Sequence, residues 1–262
     1  MDFADLMVLE PHGPDTFVGT GPQYPWGGLY GGQIVAQAFR AAGLTVESQF
    51  LPQSLHAYFI RRGDADEPIR FEVDRVRNGR SFVTRNVIAR QAVGAILSMS
   101  ASFQIAEDAP DVQTVELPDV PAPDSLVAEG WSTMFARAQV PGGYGPGKAQ
   151  AWLRMRELVD DDPMLQACAL AYLSDDLPTE AVVTLHPSHV TQEQMESGTF
   201  WSASLDHAIW FHRPNQPGDW HLHDFTCHGY LSSRGVSTGH VFTTDGIHVA
   251  TIAQEVLFRG GS

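Results

Sequence analysis

Two stretches of this chain are too apolar for a helix with a face in water. The first, LYGGQIVAQAFRAAG (residues 29–43), carries from Ile34 onward only Gln37 and Arg40 as polar side chains. The second, DPMLQACALAYLSDD, carries between Met164 and Leu173 only Gln166 and the Tyr172 hydroxyl. Asp162 is placed to cap the second and Pro163 to fill its first helical position. A helix apolar all round must be buried all round. Something has to enclose each one, and that demand constrains the fold more than any other feature. Gly31 and Gly32, at the mouth of the first helix, have two readings: close packing, or backbone N–H groups left reachable at the positive helix end.

Downstream of each helix the chain repeats a sequence of events. HAYFIRRGDADEPIRFEVDRVRNGRSFVTRNVIARQAVGAILSMSASFQ spans residues 56–104, and HAIWFHRPNQPGDWHLHDFTCHGYLSSRGVSTGHVFTTDGIHVATIAQE spans 207–255. Each opens His-Ala, passes an apolar run to Arg62 or Arg213, and crosses a Pro- or Gly-containing loop. Each then alternates strand and turn, at Asn78-Gly79 or His228-Gly229 and at Gly94 or Asp245-Gly246, before closing on Gln104 or Gln254. Period-two patterning supports the strands. Ile69, Phe71 and Val73 face one way in IRFEVD; Leu97, Met99, Ala101 and Phe103 share a face opposite Ser98, Ser100, Ser102 and Gln104. An antiparallel sheet long enough to curl around its helix is thus expected twice. The expected organisation is a first unit over residues 1–107, a linker over 108–148 and a second unit over 149–262. The linker reads as an exposed EDAPDVQTVELPDVPAPD, an amphipathic helix in DSLVAEGWSTMFARA and a loop in VPGGYGPGKAQ. AWLRMREL reads as the opening strand of the second unit; its counterpart lies in DTFVGTGPQY.

A formal charge of −15 argues against nucleic acid as a partner, since such affinity comes largely from Lys and Arg on phosphates. Arginines at 61, 62, 70, 75, 77, 80, 85 and 90 read mainly as a solvated strand surface, with a local anionic ligand still open. The longest apolar run falls short of the roughly 18 residues of a membrane span, and the acidic start MDFADLMVLEPHG is unlike a secretory signal. Cys168 and Cys227 lack metal-type spacing and suggest a reducing cytoplasm.

The order and spacing of YGGQIVAQA, LHAYFIRRGD, RNGRSF, MSASFQ, AYLSDD, LDHAIWFHRP, SSRG and AQE go further. Over nearly its full length the chain resembles the type II (TesB-like) acyl-CoA thioesterases. That resemblance implies an α+β double hotdog fold, each antiparallel sheet wrapped around a central helix. It also implies hydrolysis of a fatty acyl-CoA to free acid and CoA with no metal or organic cofactor. Matching residue by residue, the water-holding set falls on Asp175 (in YLSDD, with Asp176 adjacent), Ser204 (before LDH, where Thr is more usual) and Gln254. Asp175 would act as general base, more effectively if burial raises its pKa, and Ser204 and Gln254 would orient the water. Backbone N–H groups would stabilise the oxyanion. The first repeat lacks a carboxylate after its helix (AAGLTVE follows) and is expected to be non-catalytic, holding CoA or completing the acyl tunnel. Gly31, Gly32, His56, Arg80, Gln104 and Asp206 are the substrate-binding candidates. His207 and His212 read as structural, as does the pattern around His56.

Two local signals point elsewhere. GVSTG (residues 235–239) matches G-x-S-x-G, but a hairpin follows where a nucleophile elbow needs a helix. His221, His223 and His228 lack the partners that would complete a metal site and read as an exposed strand. Two rival functions stay open: a binding or sensing protein of the same fold, and a hotdog hydratase or dehydratase, which needs a catalytic His paired with Asp or Glu. Homo-oligomers joined through sheet edges are a further expectation.

Overall fold

In the computed structural model, residues 1–157, 161–188, 190, 194, 195 and 197–260 are described. The helices include α1 (Phe3–Leu6), α2 (Gly31–Gly43), α3 (Pro163–Ser174) and α4 (Pro178–Leu185). The N-terminal strands are β1 (Glu10–Pro11), β2 (Thr16–Gly19), β3 (Phe50–Phe59), β4 (Ile69–Asn78), β5 (Phe82–Gln91) and β6 (Gly94–Ile105). After them come β7 (Ala128–Glu129), β8 (Phe135–Gly145), β9 (Lys148–Met155), β10 (Phe200–Ser204), β11 (Asp206–Phe211), β12 (His221–Leu231), β13 (Arg234–Thr243) and β14 (His248–Gly260).

These strands join in one antiparallel sheet, in the order β1-β2-β4-β5-β6-β3-β11-β14-β13-β12-β9-β8-β7, with β10 also pairing β14. The order is nearly symmetric about its centre, where β3 meets β11 through His207 opposite Ala57 and Ile209 opposite Leu55. The duplication expected from the repeats is therefore a double hotdog whose halves share a continuous sheet. Both outer edges are two-residue strands, and β1 includes Pro11.

The inner face forms as the alternation requires. Ile69, Phe71, Leu97, Met99, Ala101 and Phe103 are buried from the first half, and Ala250, Ile252, Val256 and Phe258 from the second. Helix α2 lies on β4, β5 and β6, while α3 packs against α2, β3 and β9, and α4 covers β12, β13 and β14. The sheet does not wrap each helix alone, as expected above, because α2 and α3 cover each other. They run antiparallel, and glycines let them touch at both ends. A Cβ on Gly32 would fall 2.4 Å from the Tyr172 carbonyl oxygen, and one on Gly43 would fall 2.5 Å from the Met164 sulfur. As expected, Asp162 caps α3, accepting from the Met164 N–H at 2.9 Å.

The segment between the halves departs from its expected form. DSLVAEGWSTMFARA makes no amphipathic helix: after a 3-10 turn at Pro123–Ser125 it forms β7 and enters β8. Gly130 and the run Trp131-Ser132-Thr133 are poor helix formers, and the buried Ala136, Ala138 and Val140 alternate as a strand requires. VPGGYGPGKAQ is likewise no loop but a hairpin, irregular in register between Gln139 and Tyr144, with Gly142 and Gly147 at positive φ. The strand containing AWLRM (β9) is thus not the first of its half. Upstream, residues 108–127 form a strap anchored across the outer face, not a free linker. Val115, Leu117, Val120 and Leu126 pack on Val140, Trp152, Leu222 and Phe242, and the Trp152 indole donates to the Pro121 carbonyl at 3.0 Å.

Two strand details also differ. β12 continues through His228-Gly229 with a bulge between Cys227 and Tyr230, and the chain turns at Ser232-Ser233, both at positive φ. His221 and His223 are buried, not exposed, since alternation sends them inward with Phe225 and Cys227. Ser237 of GVSTG lies in mid-strand on β13 and so forms no nucleophile elbow.

Candidate active site

Asp175 ends α3 as its C-cap residue, and the antiparallel helix pair brings it to the start of α2. Helix α2 has no capping side chain of its own, because Tyr30 occupies its N-cap. Asp175 fills that role from the other half of the chain, its Oδ2 accepting from the Gly32 N–H at 2.9 Å. The glycines are what allow this approach: a Cβ on Gly31 would sit 2.5 Å from Asp175 Oδ2. The Gly31-Gly32 pair serves close helix packing, and the Gly32 N–H is taken up by Asp175.

Burial is the largest influence on the Asp175 carboxyl and pushes its pKa up to about 7; the Gly32 N–H, Gln254 and Ser204 pull the other way. Within hydrogen-bonding geometry its Oδ1 has no partner among the described residues. Ser204, at the end of β10, accepts from the Gln254 Nε2 at 2.8 Å. Gln254 is buried on the inner face of β14. Three residues distant in sequence therefore share one corner of the fold.

A cavity of about 730 Å³ opens over that corner. Its walls include Trp26, Tyr30, Gly31 and Ile34 around the start of α2, residues 59–63 after β3, Trp131, and residues 201–205. The site is thus composite: the first half supplies the helix N-terminus and an aromatic wall, and the second supplies the carboxylate, serine and amide.

The neighbouring Asp176 is held differently. It accepts from the Trp131 indole at 2.7 Å and from Arg137 at 3.1 Å, and Arg137 also pairs with Glu180 at 2.6 Å. Burial still leaves its pKa raised to about 6 against the pull of Arg137. This network fixes Trp131 in the cavity wall, where the ring packs edge-on to Trp26 with centroids 4.9 Å apart.

Three of the substrate-binding candidates lie away from the cavity. His56 points from the outer face of β3, its ring edge-on to Trp210. Arg80 is exposed in the β4–β5 turn, and Gln104 alternates outward after the buried Phe103. The physical reason is register: aligning the repeats by their His-Ala and Gln letters equates residues on opposite faces, and a one-residue slip turns a side chain over. Asp206 is structural, its Oδ1 accepting from the Glu255 N–H at 2.6 Å to pin β11 to β14. The arrangement that sequence reasoning missed is His207, buried between Ser174 and Gln254. A polar residue at an inward position, in phase with the buried Ile209, was the available signal.

A buried carboxylate beside an amide, a hydroxyl and a helix N-terminus, at the edge of a largely apolar cavity, is equipped to direct water at an acyl carbon. Comparisons with known proteins agree on the class. Residues 21–104 match the family model described as the acyl-CoA thioesterase N-terminal domain, and residues 110–258 match that of the C-terminal domain. The chain belongs to the type II, TesB-like acyl-CoA thioesterase family. It is 30% identical to "Acyl-CoA thioesterase 2" of Haemophilus influenzae, covering 97% of this chain and 96% of that protein. It is 31% identical to human "Acyl-coenzyme A thioesterase 8", covering 97% and 88%. Among solved structures it is similar to acyl-CoA thioesterase II TesB2 from Mycobacterium marinum, with a TM-score of 0.85, 35% identity and coverage of 99% and 98%.

Proposed function

We propose that this protein hydrolyses acyl-CoA thioesters with a water molecule activated by Asp175 and oriented by Ser204 and Gln254. The observation that carries the reading is the state of Asp175: buried, one oxygen fixed by Gly32, the other unpaired beside Ser204 and Gln254. A carboxylate whose pKa is raised to about 7 suits a general base at neutral pH. The water oxygen attacks the thioester carbonyl carbon while its proton passes to Asp175. The resulting oxyanion meets the first turn of α2, where N–H groups lack intrahelical acceptors and the helix dipole is positive. Collapse of the tetrahedral intermediate breaks the C–S bond, and the proton held by Asp175 passes to the departing CoA thiolate. Free acid and CoA leave, and the carboxylate is regenerated.

The cavity walls Trp26, Phe59 and Trp131 supply apolar surface for an acyl group, and Arg61 and Arg62 lie at the same cavity for an anionic CoA. The unpaired cysteines Cys168 and Cys227 fit a reducing, cytoplasmic setting. The test is release of free thiol from acyl-CoAs of graded length, read with a thiol-reactive dye. Asp175→Asn and Gln254→Ala should each reduce turnover by at least about 100-fold. Undiminished release from both would refute the site, and tight binding without release from the unmodified protein would mark a sensor.

A further inference from the structure

We propose that His207 is a positioning residue: with its proton on Nδ1, it determines which end of the Gln254 amide faces Ser204 and Asp175. The inference rests on the reading of the site given above. His207 is buried on β11, its Nδ1 against Gln254 Oε1 and its Nε2 2.8 Å from the Ser174 hydroxyl. A carbonyl oxygen can only accept, so Nδ1 carries the hydrogen. Burial pushes the His207 pKa down to about 4, so the ring is neutral at pH 7 and Nε2 is an acceptor. The Ser174 hydroxyl, which donates to the Ala171 carbonyl at 2.9 Å, then shares its one proton between that oxygen and the ring. With Oε1 held, Nε2 of Gln254 is committed to Ser204.

The linkage starts at Ser174, crosses β11 and β14 through His207 and Gln254, and ends at Ser204 on β10, in the same corner as Asp175, the residue after Ser174. An amide needs such a lock because its two ends are nearly the same shape. Ser237 lies opposite Gln254 on β13, buried and with its hydroxyl unpaired among the described residues, and offers an unheld amide a second partner. A reversed amide would present its oxygen to Ser204 and Asp175, removing a donor from beside the carboxylate and misplacing the attacking water.

The test uses His207→Phe, which keeps a ring but no polar atoms; His207→Asn, whose amide can reproduce the Nδ1 donor; and Ser174→Ala. Asp175→Asn and Gln254→Ala serve as references. His207→Phe should lower kcat by about 10- to 100-fold with little change in KM, as for loss of positioning. Its acid limb in kcat/KM should move up by roughly one pH unit, because the charged form of Asp175 loses a donor. His207→Asn should restore most of both, and Ser174→Ala should fall between. On the unmodified protein, 15N-histidine NMR should show His207 as the neutral Nδ1–H tautomer, a readout that does not depend on any variant folding. The Nε2–H tautomer would reverse every bond in the linkage and overturn the proposal. So would a His207→Phe enzyme with unchanged kcat and acid limb, or His207→Asn as impaired as His207→Phe, while the two references are inactive. Full turnover by the references would instead sink the site reading itself, and this inference with it.

Discussion

Replacing Asp175 by Asn should make the protein more stable as well as nearly inactive, and the gain should appear on only one side of neutrality. Burial, the largest influence, moves this carboxyl from 3.8 to about 7. At about 1.4 kcal/mol per pH unit, that difference is worth roughly 4 kcal/mol between the two protonation states. The sign follows from proton counting. Between those two values the folded chain keeps the proton and the unfolded chain does not, so stability declines as pH rises through the window. The full penalty of a buried carboxylate is present above about 7. Asn is neutral and nearly isosteric, and its Oδ1 can still accept from Gly32, but its NH₂ group needs a partner of its own. The expected gain at pH 8 is therefore about 1–3 kcal/mol, below the full electrostatic figure. Near pH 4, where the native carboxyl is already protonated, the gain should vanish. Urea unfolding of both proteins at pH 8 and pH 4 measures it, with midpoint and slope read separately. A gain equal at both pH values, or none at pH 8, would mean that Asp175 is not held as an uncomfortable charge, and its assignment as base would lose its electrostatic support.

Three further outcomes are expected. The kcat/KM profile of the unmodified enzyme should fall about tenfold per pH unit below about 7, following Asp175, and this limb should be absent from the residual activity of Asp175→Asn. His223, buried with neither ring nitrogen paired among the described residues, has a pKa pushed down from 6.5 to about 3 by burial. Below 6.5 the unfolded chain takes up a proton that the folded chain refuses. The stability of the unmodified protein, measured against His223→Leu by denaturant titration, should therefore fall by about 1.4 kcal/mol per pH unit, and a flat difference would refute this. Gly32→Ala should cost about 1–3 kcal/mol despite the better helix propensity of Ala. Its Cβ would meet the Tyr172 backbone oxygen at 2.4 Å, and no rotamer relieves that clash; an unchanged or raised Tm would show that the helices can part freely.

What could be read in the sequence was whatever a local period dictates. Both buried helices, the strands of each meander and their inward faces follow from alternation of 3.6 or 2, and appear where expected. Residues 123–145 depart from expectation because their strand pattern begins only at Phe135, behind a stretch where several polar and apolar residues also satisfy a helical spacing. His56 and Gln104 face away from the cavity for a different reason. Letter similarity between repeats does not carry register, and β3 has an irregularity between Pro52 and Ser54 that alters the phase of its pairing with β6. The composite cavity had no local signal at all. Gly32 and Asp175 meet only because two helices from different halves run antiparallel, and nothing within either segment encodes that meeting.

The same packing explains why a duplicated fold has one such corner and not two. A near-symmetric pair of antiparallel helices has two ends, and at each a helix start meets the other helix's finish. At one end, the start of α2 has no cap of its own and takes the carboxylate that follows α3. At the other, the start of α3 is capped locally by Asp162, whose second oxygen lies 3.7 Å from Arg40 near the end of α2. There the helix N-terminus is already satisfied, the Met164 side chain fills the space beside Gly43, and AAGLTVE supplies no carboxylate directly after α2. A carboxylate placed there would face a second anion at Asp162. Sequence differences of a few residues, an uncapped Tyr30-Gly31-Gly32 start against Asp162-Pro163, thus separate a corner built to orient water from one built to hold two helices together.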